Sequence, residues 1–127
     1  MKVCILIILA ITHSAFASIE CDVYTERALI TAENISESLR STRTYDEVSS
    51  ELDHESDAHY LAWNYCFHQQ NPTLERYCLI MRPLLTERVA LIKSNVVVRD
   101  EYELGYLLYY NEGSQMMVRQ ACRDYGL

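Results

Sequence analysis

TYDEVSSELDHESDAHYLAWNYC, residues 44–66, decides how this chain folds. Thr44-Tyr45-Asp46-Glu47 is a capping box: the Thr44 hydroxyl can accept the backbone N–H of Glu47 while the Glu47 carboxylate reaches back to the cap. Behind it Tyr45, Val48, Leu52, Glu55, His59, Ala62 and Cys66 recur at alternating steps of three and four, with Trp63 and Phe67 alongside. That is the period of one helix face, and it predicts a long helix from Thr44 to near Gln70.

The flanking sequence carries the same period. Tyr24, Ala28, Thr31, Ile35 and Leu39 mark a first helix over roughly Asp22 to Arg40. Asn71-Pro72 is a helix start, because proline at the first position gives up an N–H that has no partner there anyway. From it Tyr77, Met81, Leu84, Leu85, Leu91 and Ile92 form an apolar stripe to about Val97, with Pro83 placed to kink or divide the helix. Asp100-Glu101-Tyr102-Glu103 caps a fourth helix with acids in its first turn. This helix runs to Asp124, or breaks at Asn111-Glu112-Gly113-Ser114 with Ser114 capping a short fifth; the break is the preferred reading. Gly105, Gly113 and Gly126 are the only glycines and Pro72 and Pro83 the only prolines, so hairpin turns are scarce and strands disfavoured. The expected fold is all-α, a disulfide-stapled antiparallel bundle of four helices, or five with the break.

At the N-terminus, Lys2, the apolar run Val3–Ile11 and Ala15-Phe16-Ala17 have the layout of a secretory signal peptide cut after Ala17. Residues 18–127 are then one helical domain, large enough for one hydrophobic core. Loss of Lys2 takes the formal charge from −7 to −8, which disfavours nucleic acid and anionic membranes and favours an extracellular protein partner with a basic patch. Cys4 leaves with the leader, and Cys21, Cys66, Cys78 and Cys122 remain for two disulfides in an oxidising compartment. In an up-down-up-down bundle all four fall at one end. Cys66–Cys78 with Cys21–Cys122 is preferred over Cys21–Cys66 with Cys78–Cys122.

Ser50–Tyr60 concentrates Glu51, Asp53, Glu55 and Asp57 with His54 and His59. Glu51, Glu55 and His59 share a face, and His54 with Asp57 forms a second pair, yet zinc sites draw on thiolates or several imidazoles with supporting partners, and the thiols here are committed to disulfides. No metal or cofactor is expected. The simplest reading is an acidic helix face with His59 at the core edge, and the alternative is a docking site for a basic partner through Asp53, Glu55 and Asp57. The chain has no Gly-x-Ser-x-Gly, His-Glu-x-x-His, phosphate-binding glycine loop or Cys-x-x-Cys, so no catalytic residue is assigned. Residues 101–110 bring Tyr102, Tyr106, Tyr109 and Tyr110 close together, more rings than one buried stripe uses. The simplest reading buries Tyr102, Tyr106 and Tyr109 on a seam with their hydroxyls at the rim, and the alternative is an outward partner-binding face, since exposed tyrosines make good interface anchors. Asn34-Ile35-Ser36 is a glycosylation sequon.

A leader, a short mature chain, the Cys21, Cys66, Cys78 and Cys122 framework and an all-helical body together resemble the albicin and anophensin type of anopheline mosquito salivary proteins. That resemblance implies a secreted inhibitor that binds a component of a host plasma cascade, complement or contact activation, without cleaving it. A four-cysteine carrier of a small apolar ligand is the alternative. Its cysteine spacing is uneven, whereas here the intervals of 44, 11 and 43 residues are nearly symmetric.

Overall fold

A computed structural model describes residues 2–67, 69 and 72–125, with side chains from Ile19 onward. Four helices account for nearly all of it: α1 (Lys2–Ser38), α2 (Tyr45–Cys66), α3 (Pro72–Asn95) and α4 (Glu101–Ala121), followed by a 3-10 turn at Arg123–Tyr125. The all-α bundle read from the sequence is the observed fold. Two short segments, β1 (Arg43–Thr44) and β2 (Val96–Val97), pair in parallel as Arg43↔Val96 and Thr44↔Val97 and tie together the α1–α2 and α3–α4 connections.

Local chemistry sets the helix ends. Thr44 caps α2, its hydroxyl accepting from the Glu47 N–H at 3.4 Å, and Asp100 caps α4, accepting from the Glu103 N–H at 2.9 Å. The returning half of the first box is replaced: the Glu47 carboxylate takes the Arg43 guanidinium at 3.0 Å. Helix one begins well before Asp22, since Leu-, Ile- and Ala-rich sequence upstream propagates a helix readily. Helix two stops at Cys66, short of the expected Gln70, which with the Asn71 cap lies outside the described residues.

Two expectations are corrected in the second half. Of the two outcomes expected at Pro83, division does not occur, since α3 runs as one helix from Pro72 to Asn95. Nor does α4 break at Asn111-Glu112-Gly113-Ser114, because Asn111 and Ser114 are buried and face the core, and the Asn111 side-chain amide donates across to the Leu85 carbonyl at 2.9 Å. A polar side chain occupied by a neighbouring helix does not compete for its own backbone.

Helix α2 packs on α1 and α4, and α3 packs on α1 and α4, so α2 and α3 face each other across a diagonal. This arrangement corrects the preferred cysteine pairing. Cys66 and Cys78 sit on diagonal helices, whereas Cys21–Cys66 closes the packed pair α1–α2 at a Cα separation of 4.9 Å and Cys78–Cys122 closes α3–α4 at 5.7 Å. Each αα-hairpin thus carries its own staple, and the parallel β1–β2 pair sets the hairpins side by side with both turns at one end. The same sequence spacing separates Thr44 from Asp100, Glu47 from Glu103, Glu55 from Asn111 and Cys66 from Cys122, so the second helix of each hairpin repeats one layout.

The core has two poles. Cys21, Cys66, Cys78 and Cys122 are all fully buried in one cluster with Ala28, Ala62, Leu74, Tyr77, Met81 and Val118. The other cluster, under the β1–β2 pair, comprises Ile35, Leu39, Val48, Leu52, Ile92, Val96 and Leu107. Among the described residues no helix is long and apolar enough to cross a membrane.

Candidate functional site

The helical period of α2 turns one set of side chains toward α4 and another toward α1. Toward α4, the Tyr45 ring lies 6.5 Å from that of Tyr106, and the Tyr106 and Tyr110 hydroxyls share a hydrogen bond at 3.2 Å with the rings edge-on. Tyr109 meets Tyr110 edge-on in turn, at 6.4 Å. The Tyr106 hydroxyl, loss of solvent and the Asp53 carboxylate of α2 together push the Tyr110 phenol up to about 12. Asp53, exposed on α2, thus stands near Tyr110 at the edge of the tyrosine row. Asp57 is exposed one turn further along α2, and beyond it Tyr60 and Trp63 pack edge-on at 6.0 Å and line a groove of about 230 Å³ with Asn64 and Phe67.

Of the four tyrosines singled out in the sequence, Tyr102 (88% exposed) and Tyr109 (70%) stand out into solvent, Tyr106 is about half exposed and Tyr110 is partly covered. Rigid, amphipathic rings held in place by one another lose little entropy on docking, which is what an interface anchor needs. Gly105 lies on the outer side of α4 with open space around its Cβ position.

Glu55 is not part of this surface. It is fully buried, and its carboxylate pairs with Arg88 of α3, so its assignment to partner binding is corrected. Arg88 also donates to the Ala32 carbonyl at 3.0 Å and to the Ser36 hydroxyl at 3.1–3.2 Å. His59 is buried inside the core, not at its edge, and its Nδ1 shares a 2.6 Å hydrogen bond with the Tyr77 hydroxyl. Burial drives the His59 imidazole down to about 4 against a weaker upward pull from Glu55, and pushes the Tyr77 phenol upward. Together with Asn111 these groups make a polar belt between the two apolar poles, to which every helix contributes. The sequence signal for it is Arg88 on the apolar stripe of α3, four residues before Ile92 and three after Leu85. A buried cation on one stripe and a buried carboxylate on another ask to be paired. Glu55, His59, Tyr77, Arg88 and Asn111 are all buried, so the belt is closed to solvent.

Of the metal trio considered above, His59 Nε2 and the Glu55 carboxylate stay neighbours at 3.9 Å, but Glu55 is engaged by Arg88 and His59 by Tyr77, while Glu51 holds Arg43 at 2.7 Å. Among the described residues no three ligating side chains converge. Asn34 is exposed on α1, while Ser36, the third residue of its sequon, is engaged by Arg88. A surface groove of about 580 Å³ is open and lined by Asp22, Val23, Glu26, Arg27, Ile30, Thr31 and Thr73. It is open to solvent, unlike the enclosed cavity a lipophilic ligand needs.

Comparison with protein-family models, with curated proteins and with solved structures returns no match.

Proposed function

We propose that this chain is a secreted binding protein that docks a basic extracellular protein through the α2–α4 face and thereby blocks it, in the manner of the plasma-cascade inhibitors its layout resembles. The observation that carries the reading is the meeting of Asp53 with the Tyr106–Tyr109–Tyr110 row. It joins negative charge to rigid aromatic area on one exposed face, the combination that steers a cationic partner and then anchors it. Two disulfides, each closing a hairpin, suit a small domain working in an oxidising fluid. The grooves are open to solvent and not enclosed, which favours this reading over a carrier of apolar ligands.

The test is functional. The purified protein is added to plasma, and alternative-pathway complement activity and contact-activated clotting are followed alongside a variant carrying Asp53→Asn, Asp57→Asn and Tyr109→Ala. Inhibition of either cascade that weakens at least about tenfold in the variant supports the proposal, since a single anchor commonly contributes more than 1 kcal/mol. Full-strength inhibition by the variant would move the interface elsewhere, and no inhibition of either cascade would end the plasma reading.

A further inference from the structure

Ten tyrosines are spread along the chain, and one differs from the rest in both surroundings and exposure. Tyr102 stands in Asp100-Glu101-Tyr102-Glu103, with acids at the two preceding positions and at the next, and it is 88% exposed. Among the described residues its hydroxyl makes no hydrogen bond and its ring no aromatic contact. The other tyrosines near acids lack one of these properties. Tyr45 is partly buried against Tyr106, Tyr24 is stacked on Tyr65 at 4.5 Å, and Tyr125 lies three residues from the Cys78–Cys122 bridge. Tyr109 is exposed, but its immediate sequence neighbours are Leu108 and Tyr110.

We propose that Tyr102 is a tyrosine O-sulfation site, modified while the chain passes through the secretory pathway; the inference rests on the secreted reading given above. Enzymes of that chemistry hold an acidic stretch in a basic groove with the phenol projecting, and Asp100, Glu101 and Glu103 supply the stretch. The phenolic oxygen attacks the sulfur of a nucleotide phosphosulfate. An O–S bond forms, the anhydride S–O bond breaks, the nucleotide leaves with its phosphate, and the phenolic proton passes to a base of the enzyme.

The local fold permits this. Tyr102 lies in the first turn of α4, where backbone N–H groups have no carbonyl a turn earlier to donate to. Loosening the turn gives up the Asp100 cap on Glu103, the long Leu104 N–H to Asp100 carbonyl contact at 3.5 Å and the exposed Arg99–Glu103 pair. Each of these bonds is made at the helix end, outside the buried clusters. The product places a permanent anion at a helix N-terminus, where the dipole favours it, and beside Tyr106 on the proposed docking face.

The full-length chain is expressed in animal cells fed with labelled sulfate, and the protein recovered from the medium is analysed by intact mass and fragmentation. One sulfuryl group on Tyr102 is expected, retained in Tyr109→Phe and lost in Tyr102→Phe, whose helical circular dichroism stays unchanged because the side chain is 88% exposed. Unmodified Tyr102 in secreted protein, labelling at another tyrosine, or an adduct removed by phosphatase overturns the proposal and leaves secretion intact. Absence of the chain from the medium overturns both.

Discussion

At the residue scale the decisive pair is Glu55 with Arg88, two charges taken fully out of water and facing each other across the diagonal of the bundle. Removing either partner strands the other, so Glu55→Ala or Arg88→Ala is expected to lose about 3–5 kcal/mol by chemical denaturation, while a matched apolar pair such as Glu55→Leu with Arg88→Met changes stability far less. Equal losses in all three would show that the pair contributes net stability beyond its own desolvation. His59 adds a pH dependence whose sign follows from its depressed pKa. Above pH 6.5 it is neutral in both states. As pH falls from 6.5 to about 4 the unfolded chain binds a proton that the native imidazole refuses, and stability declines by up to about 3 kcal/mol before levelling off. His59→Gln should flatten that window in a pH series of denaturation midpoints.

At the element scale, α4 is the helix whose reading from sequence and whose structure diverge most. The sequence marks its start well: the Asp100 cap is present, and Asp100→Ala should cost about 1 kcal/mol. Its interior was harder to read, because Asn111, Gly113 and Ser114 are individually breakers in water. They survive here since two of them point into the bundle and the third into open space. Gly113→Ala should accordingly raise stability by up to about 1 kcal/mol, with a Cβ that meets nothing within 4 Å. A loss measured by thermal unfolding would mean that the position carries a constraint beyond helix propensity.

At the scale of the whole molecule, two stapled hairpins lie side by side, joined at their turn ends by β1–β2 and through their middle by the polar belt. Each bridge closes a loop of similar length, with separations of 45 and 44 residues, and on the chain-entropy model contributes about 3–4 kcal/mol. Cys21→Ser with Cys66→Ser should therefore cost about as much as Cys78→Ser with Cys122→Ser, measured as the shift in denaturant midpoint. A large inequality would show that one hairpin depends on its staple and the other on the belt. A global stability of ordinary size, 5–15 kcal/mol, leaves little margin once either is gone.

The sequence by itself determined the class of the fold, the helix faces, two of the caps and the gathering of the cysteines at one pole. These follow from periodicity and from hydrogen bonds made within a few residues. The tertiary structure decided which helices are neighbours, and with that the cysteine pairing, the burial of Glu55, the partnership of Arg88 and the meeting of Asp53 with the tyrosines of α4. The physical reason is that a helix face fixes its own period but not what it packs against: a stripe containing Glu55 reads the same whether it meets water or a guanidinium, and only the arrangement of all four helices brings Arg88 to it.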